Sequence, residues 1–225
     1  MGFGVKNTTL HELFEIVCPH YCMGCGELGT VLCERCKKYN NYEDMDVCLN
    51  CGVTVKNGHC GACKLPYDRG YAVGAREGTL QRCIGEYKYM SVRALKRPLA
   101  ELMEATLPCL PKNVVVVPVP TNYRHVRMRG LDHTLLMARE LAKMRGWKYE
   151  RLVERIKDSV QVGADEETRR RQAKEAYGIG GKVDSEKLYV VMDDVWTTGS
   201  TMKAVCDVLR RAGARDITAI VLARA

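Results

Sequence analysis

The chain has 225 residues, 46% apolar and 28% charged, with a formal net charge of +8 and twelve cysteines. No apolar run approaches the roughly 18 to 20 residues that a membrane span needs, and the first stretch, MGFGVKNTTLHEL, lacks the basic and then apolar build of an export signal. Composition therefore argues against membrane insertion and against a secreted, disulfide-stapled domain, and sets the expectation of a cytoplasmic protein whose thiols stay reduced.

The length suits one α/β domain plus a small module. The charge divides the same way: residues 1–66 hold 6 Lys/Arg against 7 Asp/Glu, and residues 67–225 hold 29 against 20. The basic excess sits in the second part, where it would draw polyanionic ligands.

The first part, 1–66, is a cysteine-rich module. Four CxxC knuckles stand at Cys22/Cys25, Cys33/Cys36, Cys48/Cys51 and Cys60/Cys63. Two thiolates separated by two residues can grip one side of a tetrahedral zinc, and Gly26 and Gly52 follow their knuckles where the backbone must turn sharply. Neighbouring knuckles lie close enough to close compact ribbons, which favours two four-cysteine sites; an interleaved pairing, first with third and second with fourth, stays open. Cys18, His20 and His59 are spare donors. So short a segment with few large apolar side chains cannot bury a sizeable core, so the two zincs are expected to be structural. Eight thiolates leave no open position for catalytic zinc.

Leu65 to Gly70 reads as the linker into 67–225. Leu80, Ile84 and Tyr87, then Leu95, Leu99, Leu102 and Met103, recur at helical spacing and predict two helices interrupted at Pro98, covering a sheet edge or hooding a ligand. Lys88 stands between Tyr87 and Tyr89, in position to face such a ligand. Asn113 to Pro120, NVVVVPVP, reads as a buried strand stopped by prolines. Arg124, Arg127 and Arg129 follow on a predicted loop, suited to bidentate phosphate contacts, before a helix expected from Asp132 to Gly146. The polar segment Arg155 to Ile179 then reads either as a loop that closes over a ligand or as a solvated charged helix.

Leu188 to Met202, LYVVMDDVWTTGSTM, carries the strongest signal in the second part. An apolar run predicts a strand buried on both faces, whose carboxyl end should open on a crevice. Asp193 and Asp194 follow, and then the small-residue turn Thr197, Thr198, Gly199, Ser200 and Thr201 opens an amphipathic helix. A helix N-terminus with glycine and hydroxyls suits a phosphate. Carboxylates one turn earlier would repel that phosphate, so they suit sugar hydroxyls or a divalent cation. Trp196 either stacks on a base or packs the loop. The chain ends on another buried strand, RDITAIVLARA.

VVMDDVWTTGST resembles the phosphoribosyl pyrophosphate (PRPP) loop of type I phosphoribosyltransferases. The resemblance implies that Asp193 and Asp194 bind the ribose hydroxyls, that Thr197 to Thr201 wrap the 5′-phosphate, and that Mg²⁺ accompanies PRPP. Thr197 stands where purine-salvage members carry an acidic residue, which turns the reading away from purine salvage. PVPxxxRxxxxRG followed by a helix is similar to the ComF family of competence-associated phosphoribosyltransferase-like proteins, the group that contains GntX. Members usually carry RGFNQ where this chain has RGLDH, Arg129 to His133. The family's RxxxTxxQxxLxxxxRxxNxxxAF pattern is matched at Arg155, Gln161, Arg169 and Tyr177 and departed from at Ser159, Ala164 and Gln172. This likeness implies a type I phosphoribosyltransferase fold, a mostly parallel sheet flanked by helices, behind a double zinc ribbon. It further implies pyrophosphate contacts from Arg127, Arg129 and Lys88 and a flexible loop carrying Gln161 and Arg169.

Two functions follow as expectations. One is transfer of ribose 5-phosphate from PRPP, or use of another phosphorylated ribose. The other is non-catalytic binding of single-stranded DNA, or of a DNA-uptake protein, through the ribbons and the basic face.

Overall fold

A computed structural model describes residues 20–39, 47–90, 92–156 and 176–225, apart from the side chains of Tyr39 and His125. Gln161, Arg169 and the departures around them lie outside the described residues. Helix α1 (Glu34–Tyr39) belongs to the cysteine-rich part. Then come β1 (Arg69–Ala75), α2 (Gly78–Tyr89), a 3-10 turn (Arg93–Leu95), α3 (Lys96–Thr106) and β2 (Val114–Pro118). Helices α4 (Tyr123–Arg129) and α5 (His133–Arg145) lead to the short strands β3 (Lys148–Tyr149), β4 (Val153–Arg155) and β5 (Tyr177–Ile179). The chain closes with β6 (Leu188–Trp196), α6 (Ser200–Arg211) and β7 (Asp216–Arg224).

Five strands form one sheet in the order β1-β7-β6-β2-β3, and every pairing in it is parallel. The expected α/β class, a parallel sheet flanked by helices, is what the chain adopts. The reason is visible in the strands: alternate residues serve two cores. Val114, Val116, Val190, Met192, Ile220 and Leu222 face one, where α2, α3 and α5 pack. Val115, Val117, Tyr189, Val191, Ile217 and Val221 face the other, under α6 and the antiparallel β4–β5 ribbon. Each such aliphatic side chain contributes roughly 1.5 to 3 kcal/mol by leaving water, so a strand buried on both faces must be a continuous apolar run.

The structure corrects three local readings. Leu65 to Gly70 is not all linker: Arg69 and Gly70 already belong to β1, a strand with no counterpart in the sequence reading, because two of its seven residues are glycine. Pro98 does not interrupt a helix; it sits in the first turn of α3, where its missing N–H has no intrahelical role. The break falls earlier, after Tyr89. Arg124, Arg127 and Arg129 lie on helix α4 rather than on a loop. The Asn122 side chain caps that helix by accepting from the Arg124 amide at 2.8 Å, and Gly130 ends it at φ 71°.

The cysteine-rich part straddles the outer strand of the sheet. Cys22, Leu32 and Cys36 join the core that holds Tyr71 and Val73, whereas Leu49 joins the core that holds Ala72. Gly70 donates its amide to the Gly58 carbonyl at 2.9 Å. A β1 edge that would otherwise invite pairing with another chain is thereby partly satisfied. Among the described residues no helix is long and apolar enough to cross a membrane.

Candidate functional site

The crevice forms where strand β6 outruns its neighbour. β2 pairs with β6 only as far as Pro118 opposite Met192, and the Val119 amide makes a last bond to the Met192 carbonyl at 2.8 Å. On its other side β6 stays paired with β7 up to Trp196 opposite Arg224. Asp193 and Asp194 therefore lie inside a strand that is hydrogen-bonded on one edge, not on the loop after it. The backbone that carries them is held rigidly while the β2 side stays open for a ligand.

The two acids have different surroundings. Asp194 pairs with the Lys88 ammonium at 2.7 Å, and the two side chains are 18% and 16% exposed. Asp193 accepts from the Asp194 amide at 2.9 Å. Burial, and then the neighbouring Asp194 charge, push its carboxyl well above the usual carboxylate range. Such a carboxyl is poised to gain a cation or a pair of hydroxyl donors that restore its charged form.

Beyond them the chain turns over Trp196, which is 3% exposed. The indole therefore packs the loop instead of offering a face to a base. It meets Tyr67 edge to face at 6.0 Å. Gly199 adopts φ 70° and ψ 7° directly above the ring. A Cβ there would stand 2.0 Å from Trp196 Cζ2. Glycine is required twice, by the left-handed backbone and by the close approach. Thr198 Oγ1 donates to Ser200 Oγ at 3.1 Å and accepts from the Ser200 amide at 3.4 Å. The start of α6 borders a concavity lined by Asp193, Thr197, Gly199, Ser200 and Thr201, the setting of an anion site at a helix N-terminus.

Arg129 and Lys88 converge on the same side. The Arg129 guanidinium lies 4.9 Å from the ring centre of Tyr89, the residue after Lys88. Arg127 is exposed on α4, and among the described residues no ion pair joins it to Asp193 or Asp194. In the RGLDH segment, Asp132 Oδ1 caps α5 through the Leu135 amide at 3.1 Å and accepts from Thr121 Oγ1 at 3.0 Å. His133 is buried edge-on against Tyr87 at 4.7 Å, and neither ring nitrogen has a partner among the described residues. Burial, then Arg129, lowers its pKa. On the other flank Arg155 donates to the Tyr177 hydroxyl at 3.1 Å, and the Thr201 side chain stands beside that hydroxyl, so the β4–β5 ribbon adjoins the loop.

The knuckles group as neighbours. Cys22, Cys25, Cys33 and Cys36 form one cluster and Cys48, Cys51, Cys60 and Cys63 the other, with all sulfurs of a cluster within 4.8 Å of one another. Individual Sγ–Sγ separations of 3.6, 3.7 and 3.8 Å match the roughly 3.8 Å between sulfurs that a tetrahedral site with bonds of about 2.3 Å requires. The knuckle turns repeat: Gly26 donates to the Cys22 carbonyl at 2.8 Å and Gly52 to the Cys48 carbonyl at 2.9 Å. The clusters could each hold one zinc.

Sequence reading does not anticipate the parts of the site that depend on distant contacts: Tyr67 under Trp196, Tyr177 beside Thr201, and Lys203, whose ammonium lies 5.4 Å from the Trp196 ring centre. Of these, Lys203 alone has a local signal, standing one helical turn after Gly199.

No family model matches the chain. It is 25% identical over 212 residues to competence protein F of Haemophilus influenzae, covering 86% of this chain and 90% of that protein. It is 26% identical over 208 residues to the DNA utilization protein YhgH of Escherichia coli K12, with the same two coverages. Glutamine PRPP amidotransferase from B. subtilis, solved with ADP and GMP, superposes on 62% of the chain at 19% identity with a TM-score of 0.44, and the chain spans 30% of that enzyme's length. Over most of its length the chain is thus similar to curated competence and DNA utilization proteins.

Proposed function

We propose that the protein binds PRPP with Mg²⁺ at the carboxyl end of β6 and transfers ribose 5-phosphate to an acceptor, in the cytoplasm and in the service of DNA uptake. Residues 67–225 form the phosphoribosyltransferase domain, and residues 1–66 form its zinc-stabilised module. The observation that carries the reading is the Gly199 turn: a helix start packed on a buried indole, one step beyond two adjacent carboxylates. The amides of Thr198 to Thr201 and the nearby hydroxyls hold the 5′-phosphate. Asp193 and Asp194 take the ribose hydroxyls. Mg²⁺ supplies charge neutralisation to the pyrophosphate when bound, and the donors that fit it are these two carboxylates together with ligand oxygens. Lys88, Arg129 and Arg127 lend positive charge to the departing pyrophosphate, whose loss leaves an oxocarbenium-like ribose, so positioning and electrostatics are the protein's main contribution. Gln161 and Arg169 belong to the segment assigned to cover the site.

The test is calorimetric titration of zinc-loaded protein with PRPP, with and without Mg²⁺, beside the double variant Asp193→Asn/Asp194→Asn. Magnesium-dependent binding that disappears in the variant supports the site; no binding to the wild type sinks it.

A second reading has an observation of its own. Tyr89, Met90, Tyr123 and Met128 are exposed, Met128 by 76%, among Arg124, Arg127 and Arg129. Cationic and aromatic side chains interleaved in this way suit the bases and backbone of single-stranded nucleic acid, and the named relatives concern competence and DNA utilization. Such binding would weaken steeply with salt and survive Asp193→Asn, unlike PRPP binding.

A further inference from the structure

The two four-cysteine clusters touch different things. The first leans on the helices: Arg82 of α2 donates to the Met23 carbonyl at 2.8 Å, and Lys37 pairs with Glu101 of α3. The second reaches the turn at Gly199. Asn50, inside the knuckle Cys48/Cys51, donates from Nδ2 to Cys63 Sγ at 3.3 Å and accepts at Oδ1 from Lys203 Nζ at 2.5 Å. The same ammonium reaches the Thr198 carbonyl at 3.4 Å and lies over Trp196. Arg224, paired with Trp196 across the sheet, donates to the Leu49 carbonyl at 3.0 Å.

The amide of Asn50 has only one workable orientation here. Lysine offers donors alone, and a metal-bound thiolate accepts alone, so Oδ1 must face Lys203 and Nδ2 must face Cys63. Metal fixes the thiolate as an acceptor, and groups that bond to metal ligands in turn become oriented by them. We propose that Asn50 and Lys203 are positioning residues that tie the second cysteine cluster to the phosphate turn, so that zinc in that cluster holds the Thr198 carbonyl and the Trp196 ring where the amides of the turn converge. Zinc on one side of β1 then tunes ligand binding at the end of β6, and the first cluster does not. Only the affinity consequence rests on the turn being a PRPP site.

The experiment uses the full chain with zinc content measured for every variant. It follows the Gly199 amide and Trp196 indole resonances without ligand, then affinity for PRPP with Mg²⁺. Asn50→Ala and Lys203→Met are each expected to shift both resonances and to weaken PRPP about three- to tenfold, the worth of one hydrogen bond. The double variant should be no weaker than the weaker single one, whether or not Asn50→Ala retains its zinc, because the connection is cut once. Cys25→Ser in the first cluster should leave both resonances in place. Resonances unmoved by Asn50→Ala, losses that multiply in the double variant, or equal shifts from Cys25→Ser would overturn the proposal. If the wild type does not bind PRPP, the functional reading fails while the resonances still decide the coupling.

Discussion

Replacing Gly199 by alanine should cost the fold and the site together. At φ 70° an alanine is strained by about 1 to 2 kcal/mol. Its Cβ would also stand 2.0, 2.4 and 2.5 Å from Cζ2, Cη2 and Cε2 of Trp196, so the indole must move. The indole is 3% exposed and meets Tyr67 edge-on, which makes the clash comparable to overpacking a core, about another 1 to 3 kcal/mol. The sum of about 2 to 5 kcal/mol corresponds to a fall in Tm of roughly 4 to 20 °C for a chain of this size. Thermal and urea unfolding of the ligand-free protein measure it, with PRPP titration alongside. Trp196→Phe removes part of the obstructing ring, so in that background Gly199→Ala should retain only the backbone cost of about 1 to 2 kcal/mol. A Gly199→Ala loss below about 0.5 kcal/mol, or one that Trp196→Phe leaves unchanged, refutes the packing of the turn on the indole.

Asp193→Asn should stabilise the ligand-free protein at pH 8 while abolishing PRPP binding. Burial and the Asp194 charge raise the Asp193 carboxyl from 3.8 to about 8, so the folded chain holds this proton more tightly than the unfolded one. Stability from the group is full below about pH 4 and is lost progressively as pH rises through 8. Asparagine flattens that slope, so the stability gap over wild type should widen from pH 5 to pH 8, reaching on the order of 2 kcal/mol once water access to the carboxylate is allowed for. A gap that widens toward acid instead contradicts the assignment. Lys88→Met strips Asp194 of its counter-charge and should cost about 1 to 2 kcal/mol in urea unfolding, being neither a fully exposed nor a fully buried pair; Asp194→Asn in addition should recover part of that loss. Chelation in reducing buffer should release two zincs per chain, read colorimetrically, and raise the proteolytic sensitivity of the segment before Tyr67; release of one or none excludes the pair of four-cysteine sites.

The elements most legible in the sequence are those whose signal is local. The run before Asp193 has to be a two-faced strand because every residue from Leu188 to Met192 is apolar, and the helix from Asp132 to Gly146 is bounded by a side-chain cap and a left-handed glycine that both act within a few residues. The eight knuckle cysteines are legible for the same reason. β1 is not, since RGYAVGA derives its strand character from parallel pairing to β7, some 150 residues away along the chain, rather than from its own composition. Arg127 and Arg129 read as loop residues because seven residues carry little periodicity, although Asn122 and Gly130 mark both ends. Asn50 is hidden inside a metal motif that explains its neighbours but not itself.

The placement of the crevice follows from a mismatch in strand length. β2 and β6 run side by side for five residues and share one last bond, from the Val119 amide to the Met192 carbonyl, before β2 ends, while β6 goes on for four more residues along β7. Those four residues are Asp193 to Trp196. The chain has thus put its two carboxylates on the half-paired end of a central strand, and its buried indole at the last pair, where it can serve as the floor of the turn. The edge of β6 left unpaired where β2 stops is therefore what lets a ligand reach the acids.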